Sequence, residues 1–465
     1  MIASQAILGM VDYLEAQQVC LHGFEVRRHG RVCAEGYYAP FATGQMHRMY
    51  SVSKTMTALA LGVLLGDGRL SLEDRISSFF PDKLPERPDG RLMRLTLRDM
   101  LRMATCYPRT TYREGVDEDW AATFFVAKAT HEPGTLFNYD TSCSQVLCAL
   151  CQRLAGEDML SFLERRVFRP IGATGEKAWL RDPSGVPQGG TGLMMTLRDL
   201  GFVAQLVADG GRGLIPADYI AAMTRRQIVN DRPSIPEEAH GYGYQMWMTR
   251  DGWAMCGMGG QMAIYSPGTD TLLCTIGDTR LDPYGIQKIY NAFYDVLLPH
   301  ADDPEVPGSA ALLEKRLQSL ETLHVRSIGP IWPQERRVYA MEDNPQGLER
   351  VALGDRSVTL VWSQGTHAFR WQTDGAGEVT RWPGSEEPAL LSAGTNGDGA
   401  LQLRCQLIGR APCGVQLLLH EKNGTLTLQM SKSNDPLTAG YEGIFWGSLL
   451  PSGRGSLSEP LPKRE

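Results

Sequence analysis

Two strand-rich stretches enclose one long helical stretch, and this order constrains the first 300 residues more than any other feature. Residues 20–27 and 31–37 alternate well enough for a hairpin that turns at His29 and Gly30. From Tyr242 the pattern is strand-like again, in the runs YGYQMWMTR, GWAMCGMG, QMAIYSPG and TLLCTIGD, parted by Gly, Asp and Pro. Between these stretches, apolar residues recur at helical spacing over 51–65, 97–103, 142–154, 159–167, 197–209 and 216–224. An amphipathic helix opens the chain and another spans 285–298. Strands from both ends and helices from the middle imply one antiparallel sheet with a helical cluster packed against it, an α+β arrangement.

The run HADDPEVPG at 300–308 concentrates Pro, Asp and Gly and reads as a linker into an amphipathic helix over 310–323. Beyond it come eight short strand candidates at close spacing: RRVYAM, LERVAL, SVTLVW, HAFRWQ, LQLRCQLI, GVQLLLH, TLTLQM and YEGIFWGSL. Such a series suggests a small antiparallel barrel or sandwich. The expected domains are 1–300, a linker and helix at 301–330, an all-β barrel at 331–450 and a disordered tail at 451–465. Trp362, Trp371, Trp382 and Trp446 are expected in the barrel core.

At 465 residues the chain is long enough for a domain of roughly 300 residues and one smaller module. A formal net charge of −7 supplies no basic surface to neutralise many phosphates, so nucleic acid is not an expected partner. The start lacks a basic segment followed by a continuous apolar run, and the apolar helix candidate at 56–65 is too short to span a bilayer. The chain is therefore expected in the cytoplasm, away from membranes, with its ten cysteines reduced. Cys148 and Cys151 form a CxxC without a second ligand pair and read as helix core. No HExxH, P-loop or dinucleotide fingerprint is present, so neither metal nor cofactor is expected.

The sharpest chemical signal is Ser51-Val52-Ser53-Lys54 at the start of a helix, because residues three apart share a helix face. A serine hydroxyl is a weak nucleophile until a neighbouring base takes its proton, and a helix N-terminus favours the charge that develops. Taken alone, the pattern more often describes a polar helix start with a solvated lysine.

The longer segment YSVSKTMTALALGVLLGDGRLSLEDRISSFFP resembles the active-serine region of the penicillin-recognising serine hydrolases, in their class C β-lactamase and esterase branch. LTLRDMLRMAT, PGTLFNYDTSCSQVLCALCQRLAG and PQGGTGLMMTLRDLGFVAQLVADGG continue the likeness in order, and with the final strands it covers about residues 10–300. The resemblance implies a β-lactamase-like fold, with Ser51 as nucleophile and Lys54 and Tyr139 jointly taking its proton. A phenol is only about 0.1% ionised at pH 7, so Tyr139 needs the Lys54 cation or a concerted relay. Where the family has Tyr-x-Asn, this chain has Tyr139, Asp140 and Thr141. Asp140 also reads as a helix cap, and Thr141 keeps a hydroxyl but no amide.

The family's Lys-Thr-Gly is matched best by Gly257-Met258-Gly259, followed by Gly260 and Gln261. These residues are expected to line the substrate site, with the Gly260 N–H joining that of Ser51 as an oxyanion hole. The missing lysine and threonine would grip a carboxylate through a charge-assisted bond, worth roughly ten- to a hundredfold in binding. Their loss favours an esterase, amidase or D-peptidase over a β-lactamase or DD-carboxypeptidase. A family member that only binds a ligand is the reading outside catalysis. His240, beside a strand, reads as structural. The second module resembles the lipocalin-like barrels attached to some members, and is expected to gate the cleft or join protomers as a homodimer. The expected partner is a small ester, amide or peptide substrate.

Overall fold

The structure, a computed structural model, describes residues 1–113, 118–329, 335–354, 356–409, 412–433 and 436–451. Two compact units divide the chain. The first comprises Met1–Tyr38, Ala42–Thr279 and Tyr284–Leu320, and the second comprises Ala39–Phe41, Arg280–Pro283 and Glu321–Glu465.

The first unit starts with the helix Ser4–Ala16, then β1 (Leu21–Arg28), β2 (Arg31–Tyr37) and β3 (His47–Arg48). The helices Val52–Gly66 and Thr141–Ala155 follow, then β4 (Ala178–Trp179), β5 (Leu193–Met195) and the helix Leu197–Ala208. The unit continues through β6 (Trp247–Thr249), β7 (Gly252–Gly257), β8 (Gln261–Ser266) and β9 (Thr271–Gly277) to the helix Gly285–Asn291. Six of these strands form one antiparallel sheet in the order β2-β1-β9-β8-β7-β6, and the short strands form a second sheet, β3-β5-β4. The α+β arrangement inferred from the pattern is the observed one. Side-chain alternation sends successive residues to opposite faces. Met262, Ile264 and Leu273 enter the core shared with the first helix, whereas Ala263, Leu272 and Cys274 enter the core of the helical cluster.

The Val52–Gly66 helix is buried from Val52 to Leu64, its polar first turns as well as its apolar remainder. Gly62 permits this, since a Cβ there would lie 2.7 Å from the Tyr219 ring. The segment 242–250, expected as strand, is extended only at β6. Gln245 adopts a φ of 52°, and its N–H and side-chain amide donate to the Leu101 carbonyl, which pulls the chain towards the helices. The expected helix at 310–323 is Ser309–Gln318 and belongs to the first unit. No helix among the described residues is long and apolar enough to cross a membrane.

In the second unit the strands run β10 (Arg337–Met341), β11 (Leu348–Leu353), β12 (Ser357–Trp362), β13 (Gly365–Arg370) and β14 (Glu378–Arg381). They continue as β15 (Pro388–Thr395), β16 (Leu401–Leu407), β17 (Gly414–Lys422), β18 (Thr425–Lys432) and β19 (Gly443–Leu449). This is a curled antiparallel sheet of ten strands in which the first pairs with the last, while β13 and β14 are its two ends. Eight strands were expected. β14 and β15 escape notice because they lie in a run of Pro, Gly and Ser, and the inward residues Ala389 and Ala393 are small. Trp362, Trp371 and Trp382 are core, but Trp446 is 52% exposed because Phe445 and Gly447 take the inward positions of β19. The expected disorder of the tail falls, beyond Pro451, outside the described residues.

One buried contact ties the sheet to the approach of Ser51. His22 Nδ1 on β1 lies 3.2 Å from His47 Nε2 on β3, and both rings are fully buried. Burial holds the His47 imidazole down at about 4, against an ordinary 6.5. Between those values the unfolded chain binds a proton that the folded chain excludes, so this stabilisation is complete above pH 6.5 and is lost as pH falls towards 4. Urea unfolding at pH 7.5, 5.5 and 4.5 should show a loss approaching about 1 kcal/mol per pH unit in that window. The loss should be smaller in His47→Gln, and identical pH profiles for the two proteins would refute the assignment.

Candidate active site

Ser51 stands at the N-cap of the Val52–Gly66 helix, yet its φ and ψ of −68° and −10° are already helical and its hydroxyl makes no capping bond. The residue before it, Tyr50, has a φ of 46°, a left-handed conformation that a non-glycine residue adopts at a cost. That strained step turns the chain from β3 into the helix and presents Ser51 to the open space.

Lys54, one turn on, is 1% exposed. Its Nζ donates to Ser51 Oγ at 2.9 Å and to the Gly190 carbonyl at 2.9 Å, so the buried amine is held by acceptors on two segments. The solvated-lysine reading of the motif is excluded. Gly190 must be glycine for this contact, because a Cβ there would sit 2.5 Å from Thr141 Cγ2 and 3.4 Å from Lys54 Nζ. Its neighbour Gly189 donates to Gln145 Oε1 and accepts from Thr57 Oγ1, which pins the loop to both long helices. Sequence reasoning missed this glycine pair as part of the site, although the doublet in QGGTG was a visible signal.

Tyr139 completes the group. Its phenol stands near enough to the Ser51 hydroxyl to be influenced by it, and Lys54 Nζ lies 4.9 Å from its ring centroid. Trp247 stacks on the ring at 5.4 Å and Tyr242 meets it edge-on at 6.1 Å, so an aromatic box fixes its orientation. Burial pushes the phenol well above its ordinary value, opposed by the Ser51 hydroxyl. At neutral pH the resting group is therefore a phenol. Asp140 caps the following helix by accepting the Ser142 N–H at 2.9 Å, and burial raises its carboxyl to about 6. The capping reading of Asp140 fits this geometry.

These residues border a cleft of about 720 Å³ whose lining includes Ser51, Tyr139, Trp247, Cys256, Gly257 and Met258. Gly257 lets β7 approach the nucleophile segment, since a Cβ there would lie 2.3 Å from the Met49 carbonyl oxygen. The residues expected beside it are placed differently. The Gly260 N–H donates to the Gly257 carbonyl at 3.2 Å and closes the β7–β8 turn, so it does not point at the cleft. Gly259 and Gly260 have φ of 82° and 89° and serve that turn. Gln261 is buried and spans Met258 and Gly277 with its side-chain amide. Thr141 is absent from the cleft wall, with its N–H given to Thr110 Oγ1 and its methyl against Gly190. His240 is exposed and also outside the cleft lining. Cys256 occupies the wall instead, and burial raises its thiol to about 12. Cys148 and Cys151 lie buried within the Thr141–Ala155 helix.

Comparison with known proteins bears on the family and the fold. A 6-aminohexanoate-dimer hydrolase of Paenarthrobacter ureafaciens is 25% identical over 300 residues, covering 57% of this chain and 75% of that protein. Among solved structures, an octameric penicillin-binding protein homologue from Pyrococcus abyssi superposes with a TM-score of 0.52 at 15% identity, over 96% of this chain and 99% of its own. EstCE1, a hydrolase with promiscuous acyltransferase activity, gives 0.51 at 19% identity over 63% of this chain and 99% of its own. These two likenesses concern the fold. Residues 3–295 match the family described as Beta-lactamase, and that span takes in more than half of the chain and every residue of the cleft. The protein belongs to the beta-lactamase family.

Proposed function

We propose that this protein is a serine hydrolase that cleaves a small amide, ester or peptide bond through an acyl-enzyme on Ser51. The observation that carries the reading is the 2.9 Å contact between Lys54 Nζ and Ser51 Oγ beneath an open cleft that Ser51 and Tyr139 line together. The relative from Paenarthrobacter ureafaciens, named for hydrolysis of a 6-aminohexanoate dimer, supports an amide as the bond cleaved.

Ser51 Oγ attacks the carbonyl carbon while Lys54, as the amine, takes the hydroxyl proton. The Tyr139 phenol gives its proton to the departing nitrogen or oxygen and regains one from the Lys54 ammonium. Water then attacks the acyl-enzyme by the same relay in reverse and releases the acid. A phenol favoured by burial suits Tyr139 to the acid step, which modifies the joint-base role implied by resemblance. The oxyanion takes the Ser51 N–H, which is bonded to no described residue. For the second donor we favour the N–H of Met258 over that of Gly260, because Met258 lines the cleft and its amide is likewise unengaged.

The deciding experiment incubates wild type and Ser51→Ala with acyl esters, aminoacyl amides and a chromogenic cephalosporin, and follows product and intact mass. Wild type should acquire an adduct that Ser51→Ala lacks, and kcat/KM should fall by at least about 10⁴-fold in the variant. Equal inertness of both proteins, without adduct, would defeat the proposal. Tyr139→Phe should lower kcat by about 10² to 10⁴-fold with little change in KM, since proton transfer is lost while the ring remains. A change confined to KM would instead assign Tyr139 to substrate binding.

A further inference from the structure

Two adjacent glutamates ahead of β6 are treated oppositely by the fold. Glu237 is buried and neutralised, with Arg250 Nη2 2.7 Å from its Oε2 and the Arg250 N–H 2.8 Å from its Oε1. Glu238 lines the cleft that contains Ser51 and Tyr139, and no lysine, arginine or histidine among the described residues lies within ion-pair distance of it.

The position of Glu238 is built. Its Oε2 accepts the Ser234 N–H at 3.0 Å, its carbonyl accepts Asn230 Nδ2 at 3.2 Å, and Asn230 Oδ1 accepts the Arg232 N–H at 3.2 Å. These bonds clip 230–238 into one loop with Glu238 on the cleft wall. Burial raises the Glu238 carboxyl above its ordinary range, opposed by backbone N–H bonds from Ser234 and Ile235. Its charge also reaches the reacting end of the cleft, where it adds to burial in raising Tyr139 and Cys256.

A half-buried carboxylate without a cation is costly, and a ligand that brings the cation removes the cost. Asp231 and Arg232 line the same cleft, but both are exposed and of opposite sign. Glu238 thus sets the sign of the cleft interior.

We propose that Glu238 is the specificity-determining residue of the cleft and receives the protonated amino group of its substrate, an aminoacyl amide or short peptide with a free amine. The proposal rests on the hydrolase reading of Ser51 and adds the charge of the group to be recognised. The ammonium meets Glu238 while the acyl carbonyl lies at Ser51 Oγ. An acyl group ending in methyl leaves the carboxylate unpaired, and one ending in carboxylate is repelled.

Matched p-nitroanilides provide the test: 6-aminohexanoyl against heptanoyl, and D-alanyl against isobutyryl, pairs that differ by an ammonium in place of a methyl. Wild type should favour the amino member of at least one pair by tenfold or more in kcat/KM, the scale of a charge-assisted hydrogen bond. In Glu238→Gln that ratio should fall at least tenfold, mainly through KM of the amino member, and Glu238→Asp should restore part of it. Indifference of wild type to the amine in both pairs would overturn the proposal even if the variants fail to fold, and would leave the hydrolase reading intact. A ratio unchanged in a folded Glu238→Gln would overturn it equally. Wild type inert towards all four anilides and free of any acyl adduct would defeat the hydrolase reading and this proposal together.

Discussion

A lysine amine with almost no access to water must be given acceptors, and the architecture of the site follows from supplying them to Lys54. One is Ser51 Oγ, a helical turn away, and the other is the Gly190 carbonyl, 136 residues on. Bringing that carbonyl close requires glycine at 190, where a side chain would collide with Thr141 and crowd the amine. It also requires the loop to be held from both sides, by Gln145 on one long helix and Thr57 on the other. The burial of the Val52–Gly66 helix, the glycine pair and the register of the Thr141–Ala155 helix are thus one linked solution.

The same packing gives two hydroxyls different surroundings. Ser51 sits at the edge of the cleft, whereas Tyr139 is enclosed by Trp247 and Tyr242 and kept as a phenol. An amine and a phenol beside one serine hydroxyl provide both a proton acceptor and a proton donor without histidine or metal ligands. The close passage of Gly257 against Met49 brings β7 to the reacting group, and Cys256 and Met258 stand on the wall without a lysine or threonine. Of the charged residues that line the cleft, Glu238 is the half-buried one, and it lies elsewhere in the sequence from any of the family's motifs.

Much of the fold was legible because it depends on short-range periodicity. The hairpin of β1 and β2, the long helices and β7 to β9 lie close to where alternation and helical spacing put them. The failures have local causes. Gln245 breaks an apparent strand because its backbone and side-chain amides reach Leu101. β15 sets only Leu391 between the small Ala389 and Ala393 on its inward face, and Trp446 looks like core until Phe445 and Gly447 are seen to take the inward positions.

The sequence by itself determined the order of strands and helices, the shared helix face of Ser51 and Lys54, and the loss of the lysine and threonine that would grip a carboxylate. Each depends on residue type or on neighbours within a turn or two of chain, where backbone geometry dictates who meets whom. Only the tertiary structure decided that Gly190 holds the lysine and that the Gly260 amide is spent on a turn. It also decided that Thr141 is not among the residues lining the cleft, and that Glu237 is paired with Arg250 while Glu238 lines the cleft. Those outcomes turn on contacts between distant segments and on which hydrogen bonds are already taken, and neither is written in local spacing.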